Sequence, residues 1–160
     1  MPGPVFIEGE TVDLCPIEEA DLDFVHRNRN DPEVRRWFPA AHPETREDVA
    51  EWLEEYREDE TDTGLFRVQP DSGRGYLGAW IDPAYHGQGY GTEMTELMVE
   101  YAFDERRLHT VAAGALATND PSRSLLEKVG FVQEGRMRDA YYVDGEYVDR
   151  VLYGLHEDDW

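Results

Sequence analysis

Cysteine, lysine and long apolar runs are scarce in this sequence, and each scarcity excludes something. The 160 residues include one cysteine, Cys15, which excludes a disulfide framework within the chain and a metal site built from several thiolates. No run of about 18 apolar residues occurs, so no membrane-spanning helix is predicted. The first residues have neither the basic stretch nor the apolar core of a signal peptide. We therefore expect a cytoplasmic protein.

Positive charge is also scarce. Lys128 is the one lysine, and 36 Asp and Glu residues against 15 Lys and Arg give a net charge of −21. No basic patch is available for phosphate contacts, so nucleic-acid binding is not expected. The acidic residues are spread along the chain, which resembles proteins adapted to a salt-rich cytoplasm, where screening weakens self-repulsion. An acidic surface made for basic partners is the alternative.

The rest of the composition is that of a folded domain. Apolar residues make up 40% and aromatic residues 12%, which suffices for one domain over residues 1–160 with its own core. In the first half, hydrophobic periodicity predicts helices over residues 18–30 and 43–58. Strands are predicted there over residues 5–17, 65–68 and 75–81.

The second half has clearer boundaries. Periodicity and capping residues predict helices over residues 92–108 and 120–129, the second of them capped by Asp120 and ended by Gly130. Strands are predicted over residues 110–117 and 131–134, followed by a hairpin that turns at Asp144-Gly145. The alternation of strands and helices across residues 75–134 predicts two crossovers and a parallel core within a mixed sheet.

A glycine-rich loop is the sharpest feature of the chain. Residues 85–92 read YHGQGYGT and stand between a predicted strand and a predicted helix. Closely spaced glycines let the backbone approach a ligand, and the helix N-terminus offers unpaired N–H groups and a positive dipole. This pattern predicts an anion site, best suited to phosphate. A dinucleotide motif would need glycine where Thr92 stands, and a purely structural turn is the alternative.

Two further motifs carry a family resemblance. Asn119-Asp120-Pro121-Ser122 opens the next helix, and Glu127-Lys128-Val129-Gly130-Phe131 closes it. With the glycine-rich loop they resemble the GNAT N-acetyltransferase superfamily, most closely the Rim-type branch, which acetylates ribosomal-protein N-termini. The resemblance extends over residues 11–155. It implies an α+β fold of three α/β/α layers, in which helices cover both faces of a mixed, centrally splayed sheet.

The resemblance implies acetyl-CoA as co-substrate and no metal. Backbone groups near Trp80 and Ile81 would hold the pantetheine arm and the thioester oxygen. Asn119 would bind the same arm, and Lys128 or Arg123 would meet the 3′-phosphate. The pyrophosphate would lie on the loop and the helix start, at His86, Gly87, Gln88, Gly89, Tyr90, Gly91 and Thr92.

The chemistry implied by the family asks little of side chains. A neutral amine held about 3–3.5 Å from the thioester carbonyl attacks directly. Many members place a tyrosine acid on the helix after Asn119, but this chain has Leu126 there, so Ser122 becomes the candidate that hydrogen-bonds the leaving thiolate. The candidates for the general base are Asp139, Tyr141, Tyr142, Glu8 and Glu10. The acceptor would be a protein N-terminus or a small-molecule amine, and a non-catalytic acyl-CoA-binding module is the alternative.

One departure from the family pattern concerns the sheet. The family has two strands between its second helix and the strand predicted over residues 75–81, whereas this chain offers residues 65–68 alone. Either a central strand is absent or a segment is missing at Thr63-Gly64, and the second reading is favoured because neighbouring strands would otherwise lose their ladder. The terminal hairpin offers a free edge that would allow a homodimer.

Overall fold

In the part of the chain that the structure describes, five strands form one mixed sheet in the order β1-β2-β3-β5-β4. The computed structural model describes residues 3–38, 42–58, 67–69 and 73–160. Strands β2 and β3 pair in parallel, and the other neighbours are antiparallel. The strand bounds are β1 Arg67–Gln69, β2 Arg74–Leu77, β3 Thr110–Leu116, β4 Val132–Val143 and β5 Glu146–His156.

Five helices form in the part of the chain that the structure describes, and all except the short second one, which was not predicted, follow the predicted pattern with shifted ends. They are α1 (Leu22–Asn30), α2 (Pro32–Arg35), α3 (Arg46–Glu58), α4 (Tyr90–Asp104) and α5 (Asp120–Val129). A 3-10 turn replaces the expected first turn of α1. Helix α3 begins later than expected because Thr45 and Asp48 cap its start reciprocally, each bonding to the other's backbone N–H, at 3.1 and 2.6 Å. Within the described ranges, no helix is long and apolar enough to cross a bilayer.

The prediction of a strand over residues 5–17 is wrong. Ile7 and Leu14 form an isolated bridge, in which the N–H groups of Phe6 and Ile7 both donate to the Leu14 carbonyl at 2.8 and 3.1 Å. The chain between them bends because a carboxylate on α4, that of Glu93, binds the backbone N–H groups of residues 10–12. A strand cannot form where successive N–H groups converge on one acceptor.

The predicted parallel core is also smaller than expected. Parallel pairing is confined to β2 and β3, because β5 lies between β3 and β4 and pairs with every residue of β3, from Thr110 opposite His156 to Leu116 opposite Arg150. The strand expected over residues 131–134 continues into the hairpin as a single strand, β4, with irregular register at two points. The hairpin turn itself is confirmed, since Asp144 and Gly145 both have positive φ.

The main core joins α4 and α5 to one face of the sheet. Burying each of its larger side chains contributes about 1.5–3 kcal/mol. It includes Met98, Val99, Ala102, Phe103, Val111, Leu126, Val129, Val151, Tyr153 and Leu155. A second cluster joins α1 to α3, and Trp80, just beyond β2, packs against it. Phe24 on α1 is 42% exposed and stacks on Trp80 with ring centroids 5.6 Å apart.

The sheet opens between β2 and β3. Their ladder ends at Leu77 opposite Ala113, while β3 stays paired with β5 as far as Leu116. Residues 78–81 leave the sheet there, and a Cβ built on Gly78 would meet no atom within 4 Å. The strand expected to run to Ile81 therefore ends at Leu77. An opening lies between the ends of β2 and β3, and we call it the cleft.

Side chains on α1 and just after α2 contact the segments on both sides of the cleft. On one side, Arg27 and Asn28 bond to the Asp82 carboxylate at 3.0 and 3.3 Å. On the other, the Arg36 guanidinium lies 3.6 Å from the carboxylate of Asp144 in the β4–β5 turn. The segment expected to be missing at Thr63-Gly64 lies outside the described residues.

Candidate active site

The loop that leads into α4 depends on two glycines in the left-handed region. Gly87 has φ of 73° and Gly89 has φ of 87°. A Cβ built on either would meet open space, so sterics with neighbours do not require glycine there. The backbone angles require glycine, because residues with a Cβ are strained at these φ values. Gly89 is also the N-cap of α4, so no side chain covers the end of the helix.

Backbone N–H groups at the start of α4 lack protein acceptors. The N–H groups of Thr92 and Glu93 donate to the Gly89 carbonyl at 3.0 and 3.2 Å, and that of His86 donates to Pro83 at 3.2 Å. Among the described residues, no acceptor binds the N–H groups of residues 87–91. These donors, at the positive end of a fifteen-residue helix, form an anion-binding geometry. Thr92, expected among the donors, is already bonded within the helix.

Gly91 has a different function from the other two glycines. It lies inside α4, and a Cβ there would come within 2.8 Å of Leu125 Cδ1 on α5. The absence of a side chain therefore lets α4 and α5 pack closely. The expectation that Gly91 makes room for the pyrophosphate misses this packing constraint.

Asp82 and His86 hold the segment before the loop. The His86 ring lies 2.9 Å from the Ile81 carbonyl, through Nε2. Asp82 accepts the Ala84 N–H at 3.0 Å as well as the donors on α1. The Ala84 N–H, followed by Asn28 and Arg27, holds the pKa of Asp82 below its ordinary value. Asp82 was not predicted as an anchor from the sequence, although an Asp before Pro83 is a capping signal.

Asn119, and not Asp120, caps α5. Its Oδ1 accepts the Ser122 N–H at 3.2 Å, while Asp120 is the first helical residue and pairs with Arg123 at 3.5 Å. The predicted Asp120 cap is therefore wrong. The Asn119 side-chain amide N–H₂ group and the half-buried Ser122 hydroxyl make no hydrogen bond within the described part of the chain. Both are available to a ligand.

The starts of α4 and α5 lie side by side. Leu125 contacts the Gly91 position, and Ser122 lies one turn earlier on the same side of α5. Both helices begin at the end of the sheet where β2 and β3 part. The structure thus brings the glycine-rich loop, Asn119 and Ser122 together beside the cleft.

The two predicted phosphate-binding cations differ. Arg123 bonds to Tyr153 Oη at 3.3 Å and to the Ala117 carbonyl at 3.1 Å. The Tyr153 bond is the main cause of a raised Arg123 pKa. Lys128 is exposed in the last turn of α5. Arg123 is committed to joining α5 to the sheet, so Lys128 is the freer of the two.

The base candidates on the hairpin are scattered. Tyr142 is exposed and packs edge-on against Tyr147, with ring centroids 5.2 Å apart. Asp139 is exposed at a bulge, with φ of 49°, and its N–H donates to the Asp149 carboxylate at 2.8 Å. Tyr141 is half-buried, and its hydroxyl accepts from Arg150 Nη1 at 3.3 Å. Tyr141 is therefore the hairpin candidate held toward the end of β3.

The remaining base candidates, Glu8 and Glu10, lie in the N-terminal segment. Both are exposed, and the Glu10 N–H donates to Glu93 in the first turn of α4. Glu93 was not anticipated from the sequence. An acid in the first turn of a helix was the available signal.

A family comparison decides what this arrangement belongs to. Residues 12–132 match the family model described as an acetyltransferase (GNAT) domain, a range that holds both the glycine-rich loop and the start of α5. The chain belongs to the GNAT acetyltransferase family. The resemblance of the sequence motifs to the GNAT superfamily is thereby confirmed.

Curated relatives of this GNAT chain are named as N-acetyltransferases. "Probable N-acetyltransferase YjcK" of Bacillus subtilis is 30% identical over 178 residues, covering 96% of this chain and 98% of that protein. YdaF of Bacillus subtilis, whose name places it among ribosomal N-acetyltransferases, is 38% identical over 84 residues. That match covers 52% of this chain and 46% of YdaF, so the chain spans under half of that relative. The YjcK alignment of 178 positions exceeds the 160 residues here, so YjcK has segments that this GNAT chain lacks.

Solved structures confirm the fold. Spermidine N-acetyltransferase from Vibrio cholerae, solved in complex with CoA and spermine, superposes with a TM-score of 0.82 at 19% identity. The match covers 90% of this chain and 94% of that one. The expected fold class, a mixed GNAT sheet with flanking helices, is confirmed.

Proposed function

We propose that this chain transfers the acetyl group of acetyl-CoA to a primary amine. The single observation that carries the proposal is the free set of backbone donors at residues 87–91, placed where α4 begins beside the cleft. Such donors suit the pyrophosphate of a coenzyme. The family, whose members are N-acetyltransferases, supports the same reaction.

The described residues suggest how the coenzyme would be bound. Its pyrophosphate would accept from the backbone at residues 87–91, and Lys128 would meet the 3′-phosphate. The pantetheine arm would lie along residues 78–81, whose backbone has left the sheet, with Trp80 fixed against the α1–α3 cluster. The side-chain amide N–H₂ group of Asn119 would donate to the same pantetheine arm. In this assignment His86 positions the loop through Ile81 and does not touch the phosphates.

The reaction needs a neutral amine and a stabilised thiolate. The amine nitrogen attacks the thioester carbonyl carbon, the C–S bond breaks, and the products are an N-acetyl amine and the thiol of CoA. In our proposal the Ser122 hydroxyl donates a hydrogen bond to the leaving sulfur. The proton lost by the amine reaches the thiolate by a relay, in which the Tyr141 hydroxyl accepts it, directly or through water, as its own proton is released to the thiolate. Asp139 fits this function less well, because it is exposed and its N–H is bound by Asp149.

The sequence left two classes of acceptor open, a protein N-terminus and a small-molecule amine. YdaF is named for ribosomal acetylation and the Vibrio enzyme for spermidine. We propose an α-amine such as a peptide N-terminus, whose pKa of about 7.7–8.0 leaves part of it neutral at pH 7, whereas a lysine amine near 10.4 is almost fully charged. The cytoplasmic location, the single domain over residues 1–160 and the homodimer stay predictions.

Thiol release from acetyl-CoA tests the proposal. The chain is mixed with acetyl-CoA and a panel of peptides with free N-termini, amino acids and polyamines, and free thiol is followed against a no-amine control. Amine-dependent release supports the transferase. Binding of CoA without release for any amine would favour the acyl-CoA-binding module, and absence of CoA binding would overturn both.

A further inference from the structure

Most arginines of the described residues have an acidic partner. Ion pairs with Asp or Glu are formed by Arg27, Arg29, Arg36, Arg46, Arg74, Arg123 and Arg136. Among the residues whose side chains the structure describes, the other arginines and Lys128 form no such pair, and all of these except Arg150 are exposed to solvent. Arg150 on β5 is half-buried, and within the described part of the chain its one hydrogen bond goes to the hydroxyl of Tyr141. In a chain of net charge −21, a sheltered cation without an acid is unusual.

The Arg150 guanidinium lies against the backbone of β3. A Cβ built on Gly114 would fall 2.5 Å from Arg150 Nε and 2.7 Å from Nη2, so only glycine leaves room for this placement. Gly114 is the first β3 residue past the β2–β3 ladder, which ends at Ala113. Arg150 therefore lies at the wall of the cleft.

No acid among the described residues forms an ion pair or a hydrogen bond with Arg150. The residues opposite it are Leu116 on β3 and Met137 on β4, both apolar. The adjacent Asp149 binds Arg136 at 2.5 Å and the Asp139 N–H at 2.8 Å. A guanidinium has five N–H donors, and one hydrogen bond leaves most of them unused. A half-buried cation with unused donors favours an anion supplied by a ligand.

We propose that Arg150 binds a carboxylate of the acceptor, so that the acceptors are primary amines with a carboxylate near the amine. The inference rests on the proposed function and narrows its substrate class. The coenzyme's phosphates would lie on the start of α4, and its thioester carries no charge, so the anion at this wall of the cleft belongs to the acceptor. Free amino acids and peptides with an acidic residue near the N-terminus share this chemistry, whereas polyamines lack it.

Matched acceptor pairs test the proposal in the unaltered chain. Each pair consists of a carboxylate and its carboxamide: an amino acid against its amide, and an N-terminal Asp or Glu peptide against its Asn or Gln counterpart. We expect kcat/KM to favour the carboxylate by roughly ten- to a hundredfold. The pair that shows the larger preference identifies the source. Equal rates on both members of both pairs would overturn the proposal.

Substitution of the arginine gives a second test. Arg150→Gln should remove the preference by raising KM for the carboxylate acceptor more than KM for the carboxamide, with KM for acetyl-CoA unchanged. A loss that arises through the Tyr141 contact would fall on both acceptors alike. Arg150→Lys should restore part of the preference. Arg106→Gln, at an exposed arginine after α4, makes the same charge change and should keep the preference. Equal losses on both members of a pair would show that Arg150 only supports Tyr141, which contradicts the proposal.

Two controls separate this inference from the proposed function. If Arg150→Gln does not fold, the proposal is judged on the preference for carboxylate over carboxamide acceptors in the unaltered chain and in the Arg150→Lys variant. If no amine is acetylated, the proposed function fails on its own. Calorimetric titration of the same acceptor pairs into the CoA-saturated chain still tests Arg150: tighter binding of the carboxylate supports the inference, and equal or no binding overturns it.

Discussion

Glu93, in the first turn of α4, holds the N-terminal segment through Thr11. Its Oε1 accepts the N–H groups of Glu10 and Thr11 at 2.6 and 2.8 Å, and the Thr11 hydroxyl donates to Oε2. A Cβ on Gly9 would fall 2.7 Å from the same carboxylate. One side chain beside the glycine-rich loop thus determines the path of residues 9–12.

The Glu93 carboxylate should make stability depend on acid. The Thr11 hydroxyl and N–H, followed by other N–H groups, hold the pKa of Glu93 below its ordinary value of about 4.3. A carboxyl whose pKa is lower in the folded state stabilises it above the ordinary pKa, and that stabilisation is lost as pH falls through the folded value. Glu93→Gln should therefore lower the Tm at pH 7, and the difference from the unaltered chain should shrink below about pH 4.

The control for this prediction lies on the same helix. Glu96 is exposed and makes no described contact, so Glu96→Gln should leave the Tm close to that of the unaltered chain. Melting curves of the three proteins between about pH 7 and pH 3 make the comparison. A Glu93→Gln difference that stays constant over this range would contradict the assigned cause.

Gly89→Ala should weaken coenzyme binding and leave the fold intact. The new methyl group would point into open space, but φ of 87° would cost roughly 1–2 kcal/mol and displace the N–H groups at the start of α4. We expect the Kd for CoA to rise at least about tenfold, measured by calorimetry. Gly135→Ala on β4, where the methyl group would make an ordinary 3.7 Å contact with Leu152, is the matched control. Unchanged CoA affinity in folded Gly89→Ala would remove the loop from the site.

Ser122→Ala and Asn119→Ala should act on different kinetic constants. Loss of a hydrogen bond to a developing thiolate lowers kcat, and for Ser122→Ala we expect about ten- to a hundredfold. Asn119→Ala should chiefly raise KM for acetyl-CoA, and should also lower stability by about 0.5–2 kcal/mol, because it removes the cap of α5.

The exposed Ser124 on the same helix provides the control for both variants. Ser124→Ala should leave kcat, KM and Tm unchanged in steady-state assays and melting curves. Normal turnover of Ser122→Ala at saturating acetyl-CoA would show that water or Tyr141 stabilises the thiolate instead.

Stability should rise with salt. A net charge of −21 repels itself in the folded state, and the Debye length falls from about 10 Å at 0.1 M to about 3 Å at 1 M. We expect the Tm in KCl to rise steadily between these concentrations. A flat or falling Tm would contradict salt adaptation and favour an acidic surface made for basic partners.

Local signals in the sequence were enough to predict several backbone features around the candidate site. The glycine-rich loop, the helix end at Gly130 and the turn at Asp144-Gly145 all depend on backbone angles that few residues other than glycine and aspartate adopt, and the structure has positive φ at each. The same motifs predicted the family, which the comparison confirmed. Asn119 and Ser122 were placed at the start of α5 by spacing alone.

Relations between distant residues were decided by the tertiary structure. That β5 separates β3 from β4 depends on pairing across some forty residues, which no local pattern encodes. The capture of Thr11 by Glu93 and the placement of Arg150 over Gly114 likewise join segments far apart in the chain. Periodicity reports which face of an element is apolar, but the partner of that face, and of each charge beside it, is selected only when the whole chain packs.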